Sequence, residues 1–217
     1  GVEGHYLGGV SEEQRAVAVE ELYAKLEQEG EKPYIIYNGA STARGALGYV
    51  EAAVEICEQI AADKSLTCIR NICVPGGNGG LAAGFIYGTA LLGNPFHVEL
   101  ISVEHTVETL RGIIEGFLRE LEDLCGVSMP CSMEETATLW GEYRFGGWGI
   151  IAPEVETFNL EFARTEGIFV EKVYTGKTLF GVCDLAKRGY FSEGACYLHS
   201  GGIGALFSQY PVSGGEA

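Results

Sequence analysis

The chain has 217 residues with 14 Lys and Arg against 30 Asp and Glu, a formal net charge of −16, and a hydrophobic fraction of 47%. That length and apolar content suit one or two folded domains rather than a disordered chain. The acidic balance, without any Lys/Arg cluster, speaks against binding nucleic acid or an anionic lipid surface and favours work on small molecules.

Taken in chain order, Tyr34-Ile35-Ile36-Tyr37 reads as a short strand. A helix follows Arg44, its apolar Leu47, Val50, Val54 and Ile56 keeping a helical period. Residues 66–74 form a second expected strand, ending in Pro75-Gly76-Gly77-Asn78-Gly79-Gly80 and passing into a small-residue helix over residues 81–92. The weakly polar stretch 79–93 is too short to span a bilayer, so no membrane segment is expected. Further strands are expected at 98–103, 137–140 and 195–198, with helices at 107–124, 154–166 and 176–188 and a short extended piece at 168–170. This alternation predicts an α/β fold, an open parallel sheet with helices on both faces. The sequence shows neither an internal repeat nor a low-complexity linker.

Seven cysteines without a C-x-x-C pair read as reduced, buried thiols of a cytoplasmic protein. The four scattered histidines give no metal-binding spacing, so no metal is expected. The Gly1 start, with neither Met nor an apolar leader, suggests that something precedes it rather than a signal peptide.

Ligands of such sheets sit beyond the carboxyl ends of the strands. Four loops lie there: Asn38-Gly39-Ala40-Ser41-Thr42, Gly76-Gly77-Asn78-Gly79-Gly80, Tyr174-Thr175-Gly176-Lys177 and His199-Ser200-Gly201-Gly202. Glycines between a buried strand and a helix start bare successive N–H groups at the positive helix end, which suits a phosphate. The same stretch also reads Gly77-x-Gly79-x-x-Ala82, a loose dinucleotide fingerprint with Glu104 as a possible ribose ligand, so a non-catalytic nucleotide- or phosphate-binding Rossmann-like subunit stays open as the alternative. No Gly-Lys-Ser/Thr follows, which excludes a P-loop.

Four segments together carry a more specific signal. Gly39-Ala40-Ser41-Thr42-Ala43-Arg44-Gly45-Ala46-Leu47-Gly48-Tyr49-Val50-Glu51, Ala163-Arg164-Thr165-Glu166-Gly167-Ile168, Val173-Tyr174-Thr175-Gly176-Lys177 and His199-Ser200-Gly201-Gly202 occur in one order along the chain. They resemble the D-cysteine desulfhydrase and 1-aminocyclopropane-1-carboxylate (ACC) deaminase family, pyridoxal-phosphate (PLP) enzymes of the tryptophan-synthase-β fold type. The resemblance implies that Gly77, Asn78, Gly79 and Gly80 cradle the cofactor phosphate. It makes Tyr174 the aromatic on the cofactor ring, with an assisting part in proton transfer, and places Thr175, Ser200 and Gly201 at the cofactor. Ser200 falls where the desulfhydrase branch sets a hydroxyl against the pyridine nitrogen, and the deaminase branch carries an acid where Thr175 stands. Both residues therefore favour α,β-elimination from a small amino acid, D-cysteine first, giving sulfide, ammonia and a 2-oxo acid.

The resemblance also implies departures. Trp148 stands where the family usually has a tyrosine, and Leu81 where it tends to have a hydroxyl near the phosphate. The Schiff-base lysine of the family lies in an N-terminal Gly-Gly-Asn-Lys stretch that these residues do not contain, so a second polypeptide or a missing segment is expected to supply it. On this reading residues 1–217 are the C-terminal two-thirds of an oligomeric enzyme of amino-acid metabolism. Residues 1–37 would cross from the small domain, and 38–217 would form most of the large, cofactor-binding domain.

Overall fold

A computed structural model describes residues 2–210 of the chain. It divides into two compact units, Gly1–Asn38 and Gly39–Ala217. The first holds one helix, α1 (Glu12–Gln28), which sequence periodicity did not single out. Its start is fixed by a capping box: the Ser11 hydroxyl accepts from the Gln14 N–H while the Gln14 side chain accepts from the Ser11 N–H. The expected strand at residues 34–37 does not form. Tyr34 and Ile36 are 79% and 75% exposed, and an isolated β-prone run without a ladder partner has nothing to satisfy its main chain but water.

The second unit is built on four strands, β1 (Ile69–Gly76), β2 (His97–Ser102), β3 (Ala137–Trp140) and β4 (Gly194–Tyr197). All pair in parallel, in the order β3-β2-β1-β4. Helices α2 (Ala43–Ala62), α3 (Gly80–Leu91) and α4 (Val107–Cys125) pack together on one side. The four-residue helix α5 (Met133–Thr136) leads into β3, α6 (Pro153–Glu166) and α7 (Thr175–Lys187) pair with each other, and α8 (Ile203–Gln209) closes the described chain. The expected α/β fold with helices on both faces is what forms.

The side-chain alternation of the strands divides the core. Ile72 and Val74 of β1, with Val98 and Leu100 of β2, join Phe85, Ile86, Leu110, Ile114 and Leu121 of α3 and α4. Cys73 and Ile101 point the other way, to Tyr143 and to Val182 and Leu185 of α7. Apolar neighbours in sequence did not make every thiol buried: Cys73 is, whereas Cys68, before β1, and Cys125, at the end of α4, are exposed.

Helix α3 is apolar on all sides and buried along almost its whole length, and its glycines set how close α2 can come. A Cβ on Gly84 would lie 2.1 Å from the Ala46 carbonyl oxygen, and one on Gly88 would lie 2.8 Å from that of Val50. We expect Gly84→Ala to separate the two helices and to destabilise the unit by about 2–3 kcal/mol, the usual cost of overpacking. Differential scanning fluorimetry should show the midpoint falling by roughly 5–10 °C. An unchanged midpoint would mean that the helices do not meet this closely.

Among the described residues no helix is long and apolar enough to cross a membrane, and no group of three or more His, Cys, Asp and Glu side chains could hold a metal ion.

Candidate functional site

From β1 the chain moves to β2 and β3 on one side, then returns to place β4 on the other. The loops leaving β1 and β4 therefore diverge and leave a crevice at the carboxyl end of the sheet. The loop after β1 is Gly77-Asn78-Gly79, running into α3 at Gly80; the loop after β4 is His199-Ser200-Gly201-Gly202.

A cavity of about 200 Å³ opens there, lined by Gly39, Ser41, Tyr49, Asn78, Gly79, Gly80, Leu81, Tyr174 and Ser200. Of the residues expected from sequence, Asn78, Gly79, Gly80, Tyr174 and Ser200 thus come together. Gly77 lies beneath the Tyr174 ring, since a Cβ there would sit 2.6 Å from Tyr174 Cε2. Thr175 turns its hydroxyl to the Glu171 carboxylate, and the Gly201 N–H donates to His199 Nδ1, so neither aims that group into the cavity. Trp148 is exposed and not among the lining residues.

The floor is shaped for close approach by main chain. Gly79 takes a left-handed conformation, φ 86°, as the residue that caps α3, and its missing side chain leaves room for Ile113. A Cβ on Gly80 would lie 3.2 Å from Ser41, and one on Gly39 would lie 2.8 Å from the Asn78 amide nitrogen. Backbone without side chains at the positive end of a twelve-residue helix, flanked by the Ser41 and Asn78 side chains, has the donors a phosphate needs. The residues present fit a phosphorylated ring.

Burial pushes the Tyr174 phenol well above its ordinary range, with the negative charges that Tyr49, Glu104 and Glu171 can carry acting in the same direction. Tyr174 therefore keeps its proton through neutral and mildly alkaline pH.

Lys177 is fully buried, and its ammonium donates to the carbonyl oxygens of Arg144 at 2.9 Å, Gly147 at 2.7 Å and Val103 at 3.5 Å. Burial lowers its pKa, only partly opposed by Glu171. These bonds tie α7 to the loops after β2 and β3. Lys172 is spent on Glu156 and lies over the Tyr210 ring, its Nζ 3.9 Å from the centroid. No lysine lines the cavity among the described residues.

The cavity also takes in Gly39 and Ser41, known from sequence only as members of a candidate loop, Tyr49, known only as part of a matching segment, and Leu81, which the resemblance put near the phosphate. Glu171 carries one signal in the sequence, an acid just upstream of a helix start.

Comparison with known proteins fits this geometry. A family model described as pyridoxal-phosphate dependent enzyme matches residues 1–201. A putative ACC deaminase of Pyrococcus horikoshii is 34% identical over 188 residues, covering 87% of this chain and 55% of the relative. Its counterpart in Pyrococcus furiosus is 35% identical over 189 residues, again covering 87% of the chain and 55% of the relative. The crystal structure of an ACC deaminase homologue superposes with a TM-score of 0.80 at 33% identity, covering 94% of this chain and 59% of that one. The chain thus spans little more than half the length of the curated relatives it matches.

Proposed function

This chain belongs to the pyridoxal-phosphate dependent enzymes, in the group of the D-cysteine desulfhydrases and ACC deaminases, and from that premise we propose that it is the cofactor-holding part of an enzyme for α,β-elimination from a small amino acid, D-cysteine first. The observation that carries the proposal is the single cavity in which Gly79 and Gly80 face Tyr174 and Ser200.

When bound, pyridoxal phosphate supplies delocalisation of the electron pair left at Cα after proton loss. The Gly77–Gly80 main chain and the Ser41 and Asn78 side chains would hold its phosphate, Tyr174 would cover the ring, and Ser200 would offer a neutral hydroxyl to the ring nitrogen. A hydroxyl, unlike a carboxylate, does not hold that nitrogen protonated. The milder electron sink suits a substrate whose own leaving group takes up the pair. In D-cysteine the proton leaves Cα and hydrosulfide leaves Cβ, and one water then releases ammonia and a 2-oxo acid. Tyr174, protonated and facing the cavity, is placed to donate a hydrogen bond to the substrate or the departing sulfur.

Thr175 supports elimination over ring opening. Its hydroxyl donates to Glu171, so an acid at this position would set two carboxylates against each other in a buried place.

We further propose that a segment or polypeptide outside residues 1–217 supplies the lysine that takes the Cα proton. The absence of a lysine among the described lining residues supports this, as does the engagement of Lys172 and Lys177 elsewhere. The test is made on the assembly as isolated. A visible cofactor band that borohydride removes, with sulfide released from D-cysteine and little ammonia from ACC, is the expected result. Ammonia from ACC without sulfide from D-cysteine would overturn the substrate, and a colourless preparation that titrates with NAD would overturn the class.

A further inference from the structure

The start of α7 is capped from an unusual distance. Tyr174, the residue before its first turn, makes no capping bond with its own side chain. Glu171, three residues upstream and only 4% exposed, does the work instead. Its Oε1 accepts from the N–H groups of Tyr174 and Thr175, the latter at 2.6 Å, and from the Thr175 hydroxyl. Its Oε2 accepts from the Val173 N–H at 2.7 Å and from the Gln209 amide at 3.3 Å. A buried carboxylate with five donors at the positive end of a helix is firmly held.

The same side chain reaches the opposite loop. A Cβ on Gly202 would lie 2.7 Å from Glu171 Cγ, so the backbone two residues after Ser200 rests directly on the Glu171 stem. Gln209 belongs to α8, the helix that leaves this loop, and the Tyr197 hydroxyl at the end of β4 donates to the Thr175 carbonyl at 3.1 Å. One carboxylate therefore touches the segment carrying Tyr174 and the segment carrying Ser200, the two groups expected on the face and at the nitrogen of one ring.

We infer that Glu171 is a positioning residue that fixes Tyr174 and Ser200 relative to each other and so sets how the cofactor ring lies, without contributing to the phosphate cradle. The role rests on the proposed cofactor site. Its chemical demand is specific. Both oxygens must accept, because all five partners are donors, and glutamine keeps the shape while setting an NH₂ against the Val173 N–H or the Gln209 amide.

The test compares wild type, Glu171→Gln and Gln209→Ala in the complete assembly loaded with pyridoxal phosphate. Circular dichroism in the visible cofactor band reports how the ring is held, and displacement by inorganic phosphate reports the cradle. Glu171→Gln is expected to diminish or invert the dichroic band and to weaken pyridoxal phosphate about tenfold, the loss of one or two charge-assisted bonds, while the inorganic phosphate affinity of the emptied site stays within about twofold. Gln209→Ala removes one of the five donors and should move the band in the same direction by less; it decides the matter if Glu171→Gln fails to fold. An unchanged band in the folded variants, or parallel loss of ring signal and phosphate binding, would overturn the positioning role while leaving the cofactor site standing. A wild type without a cofactor band and without phosphate binding would overturn the site itself.

Discussion

Gly79→Ala should lower the affinity for pyridoxal phosphate by about 100-fold or more while costing the fold only about 2–3 kcal/mol. Two effects coincide at this residue. The left-handed conformation, φ 86°, strains any L side chain by roughly 1–2 kcal/mol, and the new methyl would lie 2.5 Å from Ile113 Cγ2. The cheapest relief is to turn the peptide at the start of α3, which redirects the bared N–H groups away from the cavity. Each donor lost to a phosphate removes roughly 1.5–3 kcal/mol, so two account for the expected drop. A second substitution separates the causes. Adding Ile113→Ala removes the clash but leaves the strain, and should restore more of the melting temperature than of the affinity. Gly112→Ala, where nothing lies within 4 Å, serves as the control and should change neither by much. Retained affinity in Gly79→Ala, measured by equilibrium dialysis against the cofactor, would remove the loop from the site.

The strands and the crossover pattern were legible in the sequence because each of the four strands among the described residues carries a short, mostly apolar stretch followed by glycine, proline or polar residues. Ala137–Trp140 is an example in which the bounds agree with expectation. Residues 34–37 have the same local character and form no strand, since a strand is completed by its neighbour in the ladder and not by its own composition. Helix α1 was missed for a different reason: its half-buried Ala18, Leu22 and Leu26 stand among many exposed polar residues and make only a thin apolar stripe, and the Ser11-x-x-Gln14 cap is its clearest sign. At the site, the glycines and Ser200 could be read because they end strands. The role of Lys177 could not, because it depends on main-chain groups far away in sequence, the carbonyls of Val103, Arg144 and Gly147; for Glu171 the sequence shows an acid before a helix start but not the Gln209 side chain and the Gly202 backbone that close on it.

Ser200→Asp should change the fate of the substrate more than its binding. The serine hydroxyl sits at the rim of the cavity on the loop that leaves β4, where it can meet a ring nitrogen without adding charge. A carboxylate there would hold a proton on that nitrogen, deepen the electron sink, and slow the expulsion of hydrosulfide that depends on electrons being returned. Elimination from D-cysteine should fall about tenfold or more, a change of roughly 1.4 kcal/mol in the barrier. Exchange of the Cα proton of D-alanine with deuterated solvent should hold or rise, because alanine has no leaving group to expel. Ser200→Ala gives the contrasting case: without hydrogen bond or charge it should slow elimination by about tenfold or less and leave the exchange-to-elimination ratio near wild type. The ratio, followed by proton NMR for exchange and by sulfide release for elimination, is insensitive to how much enzyme is folded. An equal ratio in Ser200→Asp and wild type would mean that residue 200 does not reach the ring nitrogen, and the preference for elimination would then have to come from another side chain of the cavity.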